Sequence, residues 1–373
     1  MNKRWLALGL ALVLMFTLVA CGQKDNNDEQ KPASGTEESA DNGTEETTGK
    51  TFKVGMVTDE GGVNDQSFNQ SAHEGLMAAE KDLGIKQSVQ ESHEVADFAP
   101  NFETLLDAEN DLIWGVGYKL ADATHEAAIN NPETLYGIVD FTFEDNPDYP
   151  EGNPDNLVAV VFKQEQPSFL VGYIAGRMTE SNKVGFVGGV PGDVIWGFDY
   201  GYQAGVQYAA KELGKEIDVL SQYVEDFSDA SKGKSIATSM YQQGRDIVFH
   251  AAGGAGDGVI EAAKEQDKWV IGVDRDQSDM APENVLTSAM KRVDVGIYNI
   301  VKSLTEDKFP GGKTVVYGLE DGGAVDIAPT SAEHVPGDIL EKVEELKQEI
   351  IDGKIVVPFN EETYKVFMEE LKK

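Results

Sequence analysis

Apolar and polar positions along this chain switch repeatedly between a strand period and a helix period. Residues 53–58 (KVGMVT) are apolar, and β-branched at Val54 and Val57, which predicts a short buried strand. Asp59 ends it, and Glu60, Gly61 and Gly62 open a loop too polar and too flexible for a sheet interior. Over residues 67–79 the spacing becomes helical, with Phe68, Ala72, Gly75, Leu76 and Ala79 as its apolar positions. Strand, glycine-rich loop and helix form the first half of a βαβ unit. Ligands of open parallel sheets sit beyond the carboxyl ends of the strands, where this loop must lie. Asp59, Asn64, Phe68 and Asn69 are therefore candidates to face a ligand. A first crossover with a merely solvated loop is the alternative.

The same alternation continues. Strands are predicted at 88–95, 111–116, 135–139 and 157–162, with helices at 101–110 and 121–129 between them. Asp140 closes the third of these strands, and a Pro- and Asn-rich loop runs from it to Asn156. A helix over 166–178 buries Phe169, Leu170, Tyr173 and Ile174, with Pro167 tolerable in its first turn. Residues 183–189 (KVGFVGG) then repeat the logic of the opening strand and lead past Trp196 and Phe198 into a helix from about 200 to 213. Strands at 217–223, 246–250 and 269–273 alternate with helices at 232–243 and 259–266, and Asp274 ends the last strand. Two α/β lobes of similar size follow, each with a mostly parallel sheet. The tail carries a helix at 293–304, a strand at 314–317, a charged helix at 340–351 and a final strand at 354–358. Such leftovers fit a backbone that crosses between lobes more than once.

The first residues stand apart from this pattern. Lys3 and Arg4 precede an apolar run that stops at Cys21, the arrangement of an export signal and too short for a comfortable membrane span. Residues 18–21 (LVAC) resemble the lipobox of bacterial lipoproteins, which implies cleavage before Cys21 and lipid on its thiol. Several acyl chains together anchor a soluble body where one is marginal. A plain secreted protein is the alternative. Cys21 is the single cysteine, so no intramolecular disulfide is available. Residues 21–50 are mostly Asp, Glu, Asn, Gly, Ser and Thr, the composition of a disordered tether.

The 373 residues are enough for two domains, and an apolar fraction of 40% supports real cores. The formal charge of −35 argues against nucleic acid, since no basic face can meet a phosphate backbone. A neutral or cationic small ligand is easier to hold than an anion.

Candidate chemistry narrows the choice further. The cluster Gly253, Gly254, Gly256 and Gly258 lacks the Lys-Ser or Lys-Thr pair of a phosphate-binding loop, and Asp257 would repel phosphate. A tight turn that brings backbone N–H groups, Gly254 among them, near a neutral ligand is the better fit. No G-x-S-x-G elbow is present, and the five histidines show no metal-ligand spacing. His250, at a strand end before the glycines, is a candidate either to line the cleft or to pack inside. What remains suits a small polar ring system. Phe68 and Trp196 are candidates to sandwich a flat ring, one from each lobe. Asp59, Asn64 and Asn69 offer donors and acceptors for its edge, Asp274 suits a pair of sugar hydroxyls, and Lys291 can donate to them or balance the carboxylate. Each also has a structural alternative: core, lobe packing, helix cap or exposed surface.

Taken together, VTDEGGVNDQSFNQSAHEG at 57–75, FLVGYIAG at 169–176, FVGG at 186–189, FHAAGGAGDGV at 249–259, VIGVDRDQ at 270–277 and LTSAMKRVD at 286–294 carry a resemblance. The chain from about Phe52 onward resembles the basic membrane lipoprotein family, also called the Bmp or PnrA-like family of substrate-binding lipoproteins. The resemblance implies a type I periplasmic-binding-protein fold, two doubly wound α/β lobes with a hinge and three crossovers. The expected lobes are residues 51–161 plus 274–313, and 162–273 plus 314–373, after a signal peptide at 1–20 and the tether. It also implies a monomeric, lipid-anchored receptor on the outer face of a bacterial cell membrane. Such a receptor serves an ABC uptake permease, binds purine nucleosides such as inosine, guanosine or adenosine, and performs no catalysis with any cofactor. Matched to the family motif, Asp59 and Asn64 or Asn69 would read the base, Phe68 would stack on it, Asp274 and Lys291 would hold the ribose, and Asp140 would add a polar contact. A binding protein for a free sugar or another solute, a nucleoside hydrolase and a surface adhesin are the rival functions. An export signal with no N-terminal DNA-binding segment argues against a transcriptional regulator of similar architecture.

Overall fold

The computed structural model describes residues 50–373, so the signal segment, Cys21 and the tether up to Gly49 lie outside the described residues. In chain order the strands are β1 (Lys53–Thr58), β2 (Lys86–Gln90), β3 (Leu112–Val116), β4 (Leu135–Val139), β5 (Leu157–Phe162), β6 (Lys183–Gly188), β7 (Asp218–Tyr223), β8 (Ile247–Ala251), β9 (Trp269–Asp274), β10 (Val285–Lys291), β11 (Thr314–Tyr317) and β12 (Val325–Ile327). The helices are α1 (Phe68–Leu83), α2 (Phe98–Asp107), α3 (Ala121–Asn130), α4 (Glu165–Met178), α5 (Asp193–Leu213), α6 (Ala230–Gln242), α7 (Ala255–Gln266), α8 (Val293–Thr305), α9 (Gly337–Ile351) and α10 (Glu361–Leu371).

These strands form two six-stranded sheets of matching winding, ordered β11-β5-β4-β3-β1-β2 and β12-β10-β9-β8-β6-β7. All pairings are parallel except that of β12 with β10. The inner strands β3, β8 and β10 are buried along their whole length, which is why they read as continuous apolar runs rather than alternating ones. In each sheet the order reverses beside the first strand of its lobe, between β1 and β3 and between β6 and β8, and that crevice is where an open α/β sheet binds ligands.

The two-lobe architecture agrees with the sequence, but two strands lie in the opposite lobe from the one expected. β10, expected with residues 274–313 in the first lobe, pairs with β9 in the second sheet. β11, expected in the second lobe, pairs with β5 in the first. Three crossings account for this: from β5 to α4, from β10 to α8, and from β11 to β12. A strand's partner depends on which side of a crossing it falls, and its own short apolar run carries no record of that. Residues 354–358, expected as a last strand, are irregular, while β12 and the charged helix α10 were not anticipated. Helices α5 and α7 begin earlier than their spacing suggested, because glycines that discourage helix on propensity alone are packed inside them.

The packing of α4 on α5 shows why those glycines are tolerated. A Cβ on Gly172 would stand 2.2 Å from the carbonyl oxygen of Tyr202, and one on Gly205 would stand 2.0 Å from that of Phe169. The two backbones approach until no side chain fits between them. Gly205→Ala therefore should destabilise the folded protein by about 1–3 kcal/mol despite the gain in helix propensity. Urea denaturation of the two proteins measures the difference, and a stabilised variant would contradict the close approach.

Candidate functional site

The carboxyl ends of β1, β3 and β4 in the first sheet face those of β8, β9 and β10 in the second, and a narrow cleft lies between them. Asp59, Phe68, Asn69, Asp140, Asp274 and Lys291 line it together, from both lobes.

The first loop is shaped by its own carboxylates. Asp65 accepts hydrogen bonds from the backbone N–H groups of Ser67 (3.0 Å), Asn69 (2.8 Å) and Gln70 (3.0 Å), satisfying the exposed donors at the start of α1. Because Asp65 does the capping, the hydroxyl of Ser67 is released to cross the cleft, where it donates to Asp274 Oδ2 at 2.5 Å. Asp59 Oδ1 accepts from Gly61 N–H (2.9 Å) and from Asn69 Nδ2 (2.7 Å), which leaves its other oxygen toward the cavity side near Gly117. The same Asn69 amide donates to Asp65 at 3.1 Å, so its carbonyl oxygen, Oδ1, is buried with no partner among the described residues.

Asp140 and Asp274 end β4 and β9, which hold the same place in the two sheets. Both adopt left-handed backbone, with φ of 67° and 62°, a conformation Asp tolerates better than most residues but at some strain. Lys291 ends β10 and is 1% exposed. Its ammonium is paired with Asp140 and lies 4.6 Å from the ring centre of Phe68, 5.6 Å from Phe162 and 5.7 Å from Phe198. A buried lysine held by a carboxylate and three aromatic faces is a fixed cation. Asp140 Oδ1 remains without a partner among the described residues.

Burial governs the acids. It pushes the Asp59 carboxyl up to about 6, against the opposing hydrogen bonds of Gly61 and Asn69. Asp65 and Asp274 are also raised by burial, partly offset for Asp65 by its backbone donors and for Asp274 by Lys291. Asp257 is raised to about 6 by burial and by the neighbouring charge of Asp65.

Three of the residues expected here lie elsewhere. Asn64 is exposed on the loop and does not line the cleft; the buried Asp65 beside it does. Trp196 is 37% exposed on α5. Cleft-lining Val194, Ile195 and Phe198 share one face of that helix, and Trp196 falls nearly opposite Phe198, since two residues turn a helix by about 200°. Gly254 sits one residue behind the lining residue Gly253, against the Phe227 carbonyl and Asp65. His250 is fully buried and does not line the cleft.

Phe227 was missed. It lies in the loop after β7, lines the cleft, and meets the Tyr118 ring edge-on at 6.3 Å. A Cβ on Gly189 would stand 2.2 Å from its ring, so the second glycine of FVGG is what admits it. The signal was a single aromatic among the polar residues 225–231, at a strand's carboxyl end. Tyr118, from the first lobe, reaches toward the Val190 carbonyl of the second at 3.5 Å and narrows the mouth.

The fold and this interlobe cleft are those of a two-lobed solute-binding protein. Residues 52–361 match the family model described as ABC transporter substrate-binding protein PnrA-like, named Bmp, and the chain belongs to that family. It is 42% identical over 381 residues to the CD4+ T-cell-stimulating antigen of Listeria innocua, covering 96% of this chain and 99% of the relative. It is 38% identical over 338 residues to basic membrane protein B of Borreliella burgdorferi, covering 88% and 94%. Among solved structures it resembles an ABC transporter solute-binding protein from Aeropyrum pernix K1, with a TM-score of 0.76 and 28% identity over 86% of this chain and 97% of the other.

The raised acid predicts a pH dependence. Folded Asp59 holds its proton up to about pH 6, whereas the unfolded carboxyl releases it near 3.8, so its contribution falls as pH rises through that window. Asp59→Asn should therefore stabilise the ligand-free protein at pH 7.5, by up to about 3 kcal/mol, with the gain vanishing by about pH 4. Thermal melts of both proteins across that range test it.

Proposed function

We propose that this chain is the extracytoplasmic receptor of an ABC uptake system for purine nucleosides. It is anchored by lipid on Cys21, closes its two lobes around the ligand, and hands it unaltered to a permease. The observation that carries this is the combination of aromatic faces and unpartnered acceptors in one interlobe cavity. Phe68 comes from the first lobe and Phe227 from the second, a pairing suited to a flat base. Asn69 Oδ1 and Asp140 Oδ1 are buried acceptors with no protein donor among the described residues. Leaving such a group unmade is unfavourable by about 1–3 kcal/mol, so the preferred ligand carries N–H and O–H donors.

In this account Asp59 and Asn69 read the edge of the base, while Asp274, Asp140 and Lys291 hold the ribose hydroxyls. The excess of Asp59, Asp65, Asp140 and Asp274 over Lys119 and Lys291 disfavours a phosphorylated ligand and favours a neutral one. Binding shifts an open–closed equilibrium, and no bond is made or broken. The membership of the chain in a substrate-binding family supports transport over hydrolysis.

Mass spectrometry of small molecules released on denaturing the purified protein should find inosine, guanosine or adenosine. Titration calorimetry should give tight binding of inosine that ribose does not displace; displacement by ribose would instead favour a sugar receptor. In the same assay Asp274→Ala and Phe227→Ala should each weaken inosine binding more than roughly tenfold, through loss of a charged hydrogen-bond partner and of a stacking face. Trp196→Ala should bind as the parent does.

A further inference from the structure

Directly behind the cavity wall, one side chain joins the lobes without touching the cavity. Gln277 follows β9, is 1% exposed, and does not line the cleft. Its amide oxygen accepts the backbone N–H of Val273 at 2.9 Å and lies 3.0 Å from His250 Nε2. Its amide nitrogen donates across the interface to the main-chain carbonyl of Gln66, in the other lobe, at 3.0 Å.

Chemistry fixes the direction of this amide. Val273 N–H can only donate and the Gln66 carbonyl can only accept, so a flipped amide would face donor to donor and acceptor to acceptor. His250 reinforces the same orientation when its Nε2 carries the proton. Burial drives the imidazole pKa down to about 4, so the ring is neutral and that nitrogen is free to be its N–H. Nδ1 has no partner among the described residues, which agrees with the proton residing on Nε2. The surrounding backbone is shaped to this pair. A Cβ on Gly272 would stand 2.6 Å from Gln277 Oε1, and one on Gly256 would stand 2.2 Å from the His250 ring.

The acceptor is equally well placed. Gln66 has left-handed backbone (φ 53°) and immediately precedes Ser67, which bonds Asp274 across the cleft, and Phe68, which lines the cavity. A bond to the Gln66 carbonyl thus requires both the shape of the ligand-binding loop and the approach of the second lobe.

We propose that Gln277 is a positioning residue for closure: a latch, oriented by His250 and Val273, that recognises the Gln66 carbonyl and so holds the lobes shut on the ligand. This rests on the proposed opening and closing of the cleft and assigns the step to residues that never touch the ligand.

Gln277→Glu tests it with little change of shape. Measured at about pH 8, well above the ordinary carboxylate range, the ionised side chain keeps the acceptor for Val273 and His250 within its own lobe but cannot donate to Gln66. Stopped-flow measurement with inosine should show dissociation accelerated roughly tenfold or more, with association nearly unchanged. The melting temperature of the ligand-free protein should stay within about 2 °C of the parent. His250→Ala should weaken inosine binding by a smaller factor, and His250→Gln, whose Nε2 stands in for the imidazole nitrogen, should restore it. Paired spin labels on the two lobes give a readout that needs no ligand: the parent should populate a closed interlobe distance that Gln277→Glu loses. Unchanged dissociation, an unchanged distance distribution, or a ligand-free melting temperature that falls in step with affinity would each overturn the latch. If the parent itself fails to bind inosine, the nucleoside assignment fails, and the distance distributions alone decide the latch.

Discussion

Everything in the cleft is arranged around one buried cation. Lys291 ends a central strand of the second sheet, yet its ammonium is paired with Asp140 of the first, under the rings of Phe68, Phe162 and Phe198. Removing one partner of a buried pair typically destabilises a protein by about 3–5 kcal/mol, because the other charge is left stranded in low dielectric. Here the stranded group would join Asp274 and Asp59, both already raised by burial. The site holds more carboxylate than its own cations neutralise, which is the opening the proposed ligand's donors would fill.

That imbalance explains why the lobes meet as they do. Each sheet presents an Asp at the carboxyl end of the same strand, in left-handed backbone, and the two ends meet across Lys291 and Ser67. The strain at both positions is supported by strands that are buried from their second residue onward. Glu74 with Arg275 at 2.9 Å, Gln66 with Gln277, and Tyr118 with Val190 add further contacts between lobes, from helix α1 and from loops rather than from the sheets. Three chain crossings join the two sheets, and they are where the proposed opening and closing would hinge.

Much of this was legible in the order of residues. The strands KVGMVT, LIWGV, LVAVVF and KVGFVG stand where their apolar runs placed them, since a strand buried on both faces cannot be written otherwise. Asp59, Phe68, Asn69, Asp140, Asp274 and Lys291 were legible for a related reason: polar or aromatic residues at the carboxyl end of a parallel strand or the first turn of its helix have few other places to point. Trp196 failed because its helix starts at Asp193, one turn and more before the glycines in it let the spacing show. Phe227 escaped because a lone aromatic in a polar loop has no period to betray it.

The sequence by itself determined two α/β lobes, their buried strands and the polar residues at the strand ends, because those depend on periodicity and on contacts close along the chain. Only the tertiary structure decided which lobe holds β10 and β11, which face of α5 meets the cleft, and that Gln277 reaches Gln66. Those are relations between segments as far as 211 residues apart, set by three chain crossings and by backbone approach at glycines, and no local pattern encodes them.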